Sequence, residues 1–384
     1  MAPNTLTGLI PIIMRALNTV SREQVGFIPS VYRNSEAEIA AKDQTIRYPI
    51  VESRSASDVE SAATGPDPAG ETVGYADMTI SKSRSVPFPW TGEEQVSLGN
   101  RTYADVLQQQ FEQAMRTLCN EIETDLAGLY IYASRAYGTP GTTPFGTNLG
   151  EAAQMLKIMK DNGVPISLLR MVIDTTAGAS LRTLTQYTDA NRAGSDRPLR
   201  QGVLLPVDGF EIRESAQISA HTPGTAASYL VDLTAGYAAG TQTFHVDTGT
   251  GTFVAGDILS NTKTGRDTNK YIVSTGFAGD GDGDVVLAKP GTKVAWVNND
   301  PVAVGAAYTP NMAFDQNAIH LVARLPIMPE GGDAADDVMV ITDPISGLNF
   351  QIALYRQRRR VVYEVGIAWG QKAVKTEHIA LLAG

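Results

Sequence analysis

The sequence predicts an α+β chain: an N-terminal arm, an extended β-ribbon, one very long helix, and a mixed αβ domain interrupted by a small inserted β-barrel. Three observations predict it. Between Tyr103 and Ala136 the apolar residues Leu107, Phe111, Met115, Leu118, Ile122, Leu126, Leu129 and Tyr130 recur mostly at steps of three and four. That spacing draws one stripe along a helix of ~50 Å at about 1.5 Å per residue. A long polar stretch with strand-like runs precedes it. From about Thr222 to Tyr308 helical periodicity gives way to short strand-like runs broken by Gly, Thr, Asp and Asn, and a mixed pattern then resumes.

Residues 1–47 form the arm. Leu6, Leu9, Ile10, Ile13, Met14 and Leu17 read as a short amphipathic helix with Pro11 disturbing its middle. This stripe packs on its own subunit or serves a partner protein. Residues 48–98 carry the ribbon and lead into the long helix, with strand-like runs at Thr45–Val51 and Thr79–Phe88. The intervening Ser53–Gly74 is rich in Ser, Ala, Gly, Pro and Asp and has almost nothing to bury. An isolated two-stranded ribbon is marginal in water, so this one is expected to lie on something else, such as another subunit.

Residues 99–147 hold the long helix and a Gly/Pro loop. Residues 148–222 and 309–384 make the mixed domain, with helices at Asn148–Asn162 and Thr176–Tyr187. Its strands are expected at Leu169–Asp174, Val338–Ile341, Asn349–Tyr355 and Arg360–Ala368. Residues 223–308 form the insertion, with strands at Thr241–Val246, Asp257–Ser260, Tyr271–Ser274, Asp284–Leu287 and Ala295–Val297. Interruption and resumption of one pattern mark an insertion rather than a tandem array.

The 384 residues, 43% hydrophobic and 19% charged, have the composition of a globular chain with material for a sizeable core. A net charge of −10 argues against wrapping nucleic acid by bulk electrostatics, while leaving room for a local basic patch. The single cysteine, Cys119, allows no internal disulfide and suits a reducing compartment. It reads as a small core residue rather than a reactive thiol. No basic leader or membrane-spanning run is visible, so cytosolic synthesis and no membrane partner are expected.

The search for chemistry returns little. His221, His245, His320 and His378 are scattered without metal-like spacing, and no Gly-rich stretch sits between a strand and a helix as a phosphate loop must. No cofactor and no catalytic set are expected. Asp280, Asp282 and Asp284 alternate with glycine and can converge on a hard cation, but no closing glutamate comes after them. A solvated hairpin turn is the favoured reading, with a weak cation site as the alternative. Arg356, Arg358, Arg359 and Arg360 fall between two strand runs. They mark a charged hairpin turn, or a contact with acidic residues on a neighbour or with nucleic acid.

The order of parts resembles the major capsid (coat) protein of tailed bacteriophages, and more narrowly the short-tailed-phage type with an inserted telokin-like domain. The resemblance is carried by several stretches: Asn4-Thr5-Leu6-Thr7 with Ile10 through Ala16, Gly92–Gly99 leading into the helix, and Asn311 through Ala318 followed by Ala323-Arg324-Leu325-Pro326. The close, Tyr363 through Gly370 and then Glu377 to Leu382, carries it too. It implies an N-arm, an E-loop ribbon, a P-domain spine helix with returning P-domain strands, and an A-domain. It also implies a virion structural protein rather than an enzyme. Hexamers and pentamers would build an icosahedral head around a scaffolding protein, with a portal at one vertex and double-stranded DNA inside. Candidate contacts with other subunits or partners are Leu6, Leu9, Ile10, Ile13, Leu17, Glu71, Arg356, Arg358, Arg359 and Arg360. The alternatives are a β-rich virion accessory or surface-binding protein, and a hydrolase.

Overall fold

The computed structural model describes residues 6–23, 26–50, 74–189, 197–279, 281–329, 333–343 and 346–384, with backbone alone at 7, 21–23, 36–39, 50, 99–102 and 199. A 3₁₀ turn at Leu6–Leu9 leads into α1 (Ile10–Glu23). Pro11 therefore sits in the first helical turn, where its missing N–H costs nothing, and not in the middle of the helix as expected. A buried turn containing Phe27, Ile28 and Val31 connects α1 to β1 (Tyr32–Ala40).

The ribbon is β2 (Thr45–Ile50) paired antiparallel with β3 (Gly74–Thr79). Its second arm ends where the expected one began. The expected run Thr79–Phe88 falls largely in β4 (Lys82–Thr91), which pairs along its length with a strand of the body.

Helix α2 (Gly92–Ala127) has 36 residues, ~54 Å of helix, and starts eleven positions before the expected Tyr103. Thr91 and Glu94 form a capping box, which fixes the start. The stripe from Leu107 to Leu126 is buried, as is Cys119, whose thiol burial pushes well above the usual range. The helical end is also corrected. A 3₁₀ turn (Gly128–Tyr132) ends it, and Arg135–Gly138 is extended as β5, because that segment pairs with strands on both sides.

The mixed domain then supplies α3 (Gly150–Asp161), β6 (Leu169–Ile173), α4 (Thr175–Leu181), α5 (Thr185–Thr188), α6 (Arg197–Gln201) and β7 (Glu211–Glu214). The insertion contributes β8 (Tyr229–Val231), β9 (Thr243–Gly249), β10 (Ile258–Asn261), β11 (Lys270–Thr275), β12 (Gly281–Leu287) and β13 (Pro301–Val304). The chain returns through β14 (Pro310–Asp315), β15 (Ile319–Pro326), β16 (Asp337–Thr342), β17 (Asn349–Gln357), β18 (Arg360–Ala373) and β19 (Ile379–Ala383).

Two large sheets result. In the first, the order is β1-β15-β18-β17-β16, with β4 also on β18. Its inner face packs Phe88, Tyr363, Val365, Ile367 and Trp369 on α2 and α1. Phe88, Phe111 and Tyr363 meet with ring centroids 5.0–5.7 Å apart, which ties β4, α2 and β18 together. In the second sheet, β10-β13-β8-β9-β12-β11 closes on itself through a β10–β11 pairing, making a small barrel. It continues through β5 into β19-β14-β6-β7. The barrel has its own core around Tyr229, Phe244, Tyr271 and Trp296. The α+β architecture with an inserted closed barrel is thus the one expected. Differences lie in detail: β8 and β13 were not foreseen, and the strand expected at Ala295–Val297 is one isolated bridge, Trp296 with Tyr237.

Candidate assembly surfaces

The base of the ribbon belongs to its own subunit. Ala76 and Met78 are buried, and Ile80 packs with Ala40 and Ala368. Lys372 Nζ donates to the Asp77 carbonyl at 2.7 Å. Gly370 of β18 makes this seating possible, because a Cβ there would stand 2.1 Å from the Thr79 carbonyl oxygen. The support expected for the ribbon is, for this half, the subunit's own sheet rather than another subunit. Its other row, with Arg47, Tyr75 and Asp77, faces solvent, with Arg47 and Asp77 in a 2.8 Å ion pair. Glu71 and the rest of 51–73 lie outside the described residues.

The arm is similarly inward. Leu6, Ile13 and Leu17 are 0–1% exposed, in the core shared with α2. They are covered by their own chain, the first of the two readings of this stripe. Leu9 is half-buried and Ile10 is 38% exposed, so the outward part of this stripe is small.

A buried carboxylate locks the arm. Glu123 of α2 accepts hydrogen bonds from the Phe27 and Ile28 amides at 2.8 and 2.7 Å and from the Ser215 hydroxyl at 3.0 Å. Burial pushes its carboxyl above the usual range, against the pull of these donors.

The arginine run is a hairpin turn, as favoured. Gln357 pairs with Arg360 across a two-residue turn made by Arg358 and Arg359. Arg359, the second central residue, has φ 56°, the left-handed region that a type II turn places there. Arg356, Arg358, Arg359 and Arg360 are exposed. Beside them lies an open groove of 860 Å³ lined in part by Trp90, Glu93 and Gln95. Arg356 Nε is 3.5 Å from Asp336 Oδ2, and the Gly92 amide donates to the Arg359 carbonyl at 3.4 Å. Glu93 and Glu94 stand at the start of α2, and Val96 is 82% exposed. Cations, carboxylates and an apolar side chain alternate here, a mixture suited to a protein partner more than to a uniform polyanion.

Asp282 and Asp284 do not sit in a turn. They are the second and fourth residues of β12, and Asp284 Oδ1 is 2.7 Å from His245 Nδ1 on β9. That contact raises the His245 pKa. Asp280 lies outside the described residues, and no group of three metal-ligating side chains is found among the described ones.

Sequence reasoning missed the attachment of the barrel. His221 and Tyr308 form an antiparallel bridge where the chain leaves and re-joins the body. The His221 ring contacts the Tyr130 hydroxyl through Nδ1 at 2.8 Å and Asp257 Oδ1 through Nε2 at 2.9 Å. Asp257 also accepts from the Gly224 and Val254 amides. With His221 5% and Asp257 0% exposed, the arrangement fastens barrel to helix end and offers no open site. The residues are too far apart in sequence for a spacing signal to reveal them.

No family model matches the chain, and no curated protein matches it. Among solved structures, one described as Mycobacterium phage Che8 is 14% identical, with 94% of this chain and 91% of that one covered and a TM-score of 0.46. The capsid structure of cyanophage P-SCSP1u is 13% identical, covering 94% and 88%, with a TM-score of 0.48. A virus-like particle from Pyrococcus furiosus is 8% identical, covering 97% and 98%, with a TM-score of 0.45.

Proposed function

We propose that this chain is the shell-forming subunit of a tailed-phage head. Copies assemble as hexamers and pentamers around a scaffolding protein, with a portal at one vertex, and the shell encloses double-stranded DNA. The way one long helix holds several separate parts carries the proposal: α2 and the turn that ends it hold the arm through Glu123, β4 through the Phe88, Phe111 and Tyr363 rings, and the barrel through Tyr130 and His221.

The form of the molecule supports the same reading. The first sheet packs on α2 and α1 in two layers, from which the ribbon, the arginine hairpin and the barrel present separate surfaces. Net charge suits a container wall that holds its contents weakly. Sedimentation of the purified chain, alone and co-expressed with a candidate scaffold, tests the proposal. Particles of tens to hundreds of copies are expected. A chain that remains monomeric in both settings contradicts it.

A further inference from the structure

A recess lies where the barrel meets the body. It measures 380 Å³ and is walled by β5, the loop after it, α3 and the residues that open β11. Gln154 and Lys157 come from the body, and Thr268 and Lys270 from the barrel. Small-molecule sites span ~300–1,000 Å³, so this volume falls at the lower end of their range.

The charges around it do not cancel. Arg135 is 4% exposed, and its guanidinium bonds to Asp161, Asn162, Asn269 and the Ile158 carbonyl are all 3.2–3.3 Å long. Its Nε has no acceptor among the described residues. A buried cation so loosely held is incompletely answered within the chain. Lys270 is half-buried and donates to the Gly138 carbonyl at 2.5 Å, a partner without charge. Lys157 is exposed on α3. Among the described residues neither lysine forms an ion pair.

Two carboxylates share the lining, and both are engaged. Asp161, one turn on from Lys157, holds Arg135. Glu151 accepts from the Phe145 amide, and burial pushes its carboxyl above the usual range. Lys293 stands close by, its Nζ donating to the Asp161 carbonyl at 3.0 Å. Lys263 and Arg266, which Asp300 answers, are not part of this lining.

What remains suits a phosphate group. Ammonium groups meet it as point charges, and Gln154, Thr139 and Thr142 add amide and hydroxyl donors. Two acidic side chains in the lining and a net charge of −10 count against a long polyanion. A recess of this size admits one phosphate and a few further atoms.

We infer that this recess binds a small phosphate-bearing molecule, gripped by Lys157 of the body and Lys270 of the barrel. The inference is independent of the shell proposal, since it needs one copy only. A ligand held by both units binds the seated barrel and not a detached one, so it stabilises their joint by linkage.

Calorimetry and thermal unfolding of the full-length chain test this. Inorganic phosphate and glycerol 3-phosphate are the probes, with chloride at equal ionic strength as the reference. Saturating probe is expected to raise the unfolding midpoint by about 2 °C or more. Lys157→Gln and Lys270→Met should each weaken binding roughly tenfold. Lys160→Gln, exposed on the same helix outside the recess, should leave it unchanged. Lys157→Gln alters an exposed side chain and stays informative if Lys270→Met destabilises the chain. Tighter binding of the ester assigns an organic phosphate and equal binding assigns free phosphate, and both support the inference. A midpoint no higher than in chloride overturns it, as does an equal loss in all three variants, which marks diffuse charge. A double-stranded oligonucleotide that displaces both probes and binds more tightly overturns it in favour of nucleic acid.

Discussion

Glu123 and Ile28 are joined by a 2.7 Å hydrogen bond across 95 positions of sequence. With the Phe27 amide on the same carboxylate, it pins the end of the arm to the middle of the spine helix. Gly26 is required beside it, since a Cβ there would lie 2.5 Å from Glu123 Oε2. The arm is thereby held as part of the body rather than as a free tail.

Glu123→Ala leaves buried amides without an acceptor and is expected to cost about 2–4 kcal/mol in urea unfolding. Glu123→Gln retains one acceptor oxygen and costs less. Because the folded carboxyl titrates above its unfolded value, its contribution is fully present below the unfolded pKa and declines as pH rises through the folded one. The stability gap between parent and Glu123→Gln should therefore narrow as pH increases. A gap that widens over that interval contradicts this assignment.

His221→Ala removes the link between Tyr130 and Asp257 and leaves a cavity beside Tyr308. A loss of about 2–4 kcal/mol is expected, against about 1 kcal/mol for Tyr130→Phe. If the two variants unfold alike, the barrel is not fastened through this ring.

Gly370→Ala forces the Thr79 carbonyl away from β18. Global stability should fall by about 1–3 kcal/mol. The more specific readout is hydrogen exchange at the Ile80 amide, which donates to the Gln44 carbonyl at 3.0 Å. Faster exchange there is expected, with the barrel amides unchanged. Protection equal to the parent's shows that the ribbon base does not depend on this approach.

Arg359→Gly separates folding from assembly. Relief of a left-handed backbone at a non-glycine residue should raise stability by about 0.5–1 kcal/mol. Loss of a cation from the exposed turn should at the same time weaken association, measured by light scattering at fixed concentration. A stabilised variant that assembles like the parent removes Arg359 from the contact surface.

Much of this architecture is legible in the sequence where burial is periodic. The stripe from Leu107 to Leu126 and the hairpin at Arg358 and Arg359 were both readable, since each depends on neighbours along the chain. The start of α2 was not, because Gly92, Gly99 and Asn100 resemble breakers and only the Thr91–Glu94 cap reveals the helix. The seat of Met78 and Ile80 was hidden as well. It depends on Gly370, about three quarters of the chain away, and a short alternating run looks alike over solvent and over a sheet. Strands as short as β8 and β13 carry too few side chains for a period.

The most direct measurement is electron microscopy of the full-length chain, alone and co-expressed with a candidate scaffold. Closed shells with icosahedral order, in which the barrels and arginine hairpins lie at contacts between copies, are the predicted result. Uniform monomers, or open aggregates without symmetry under every condition tried, would contradict the account.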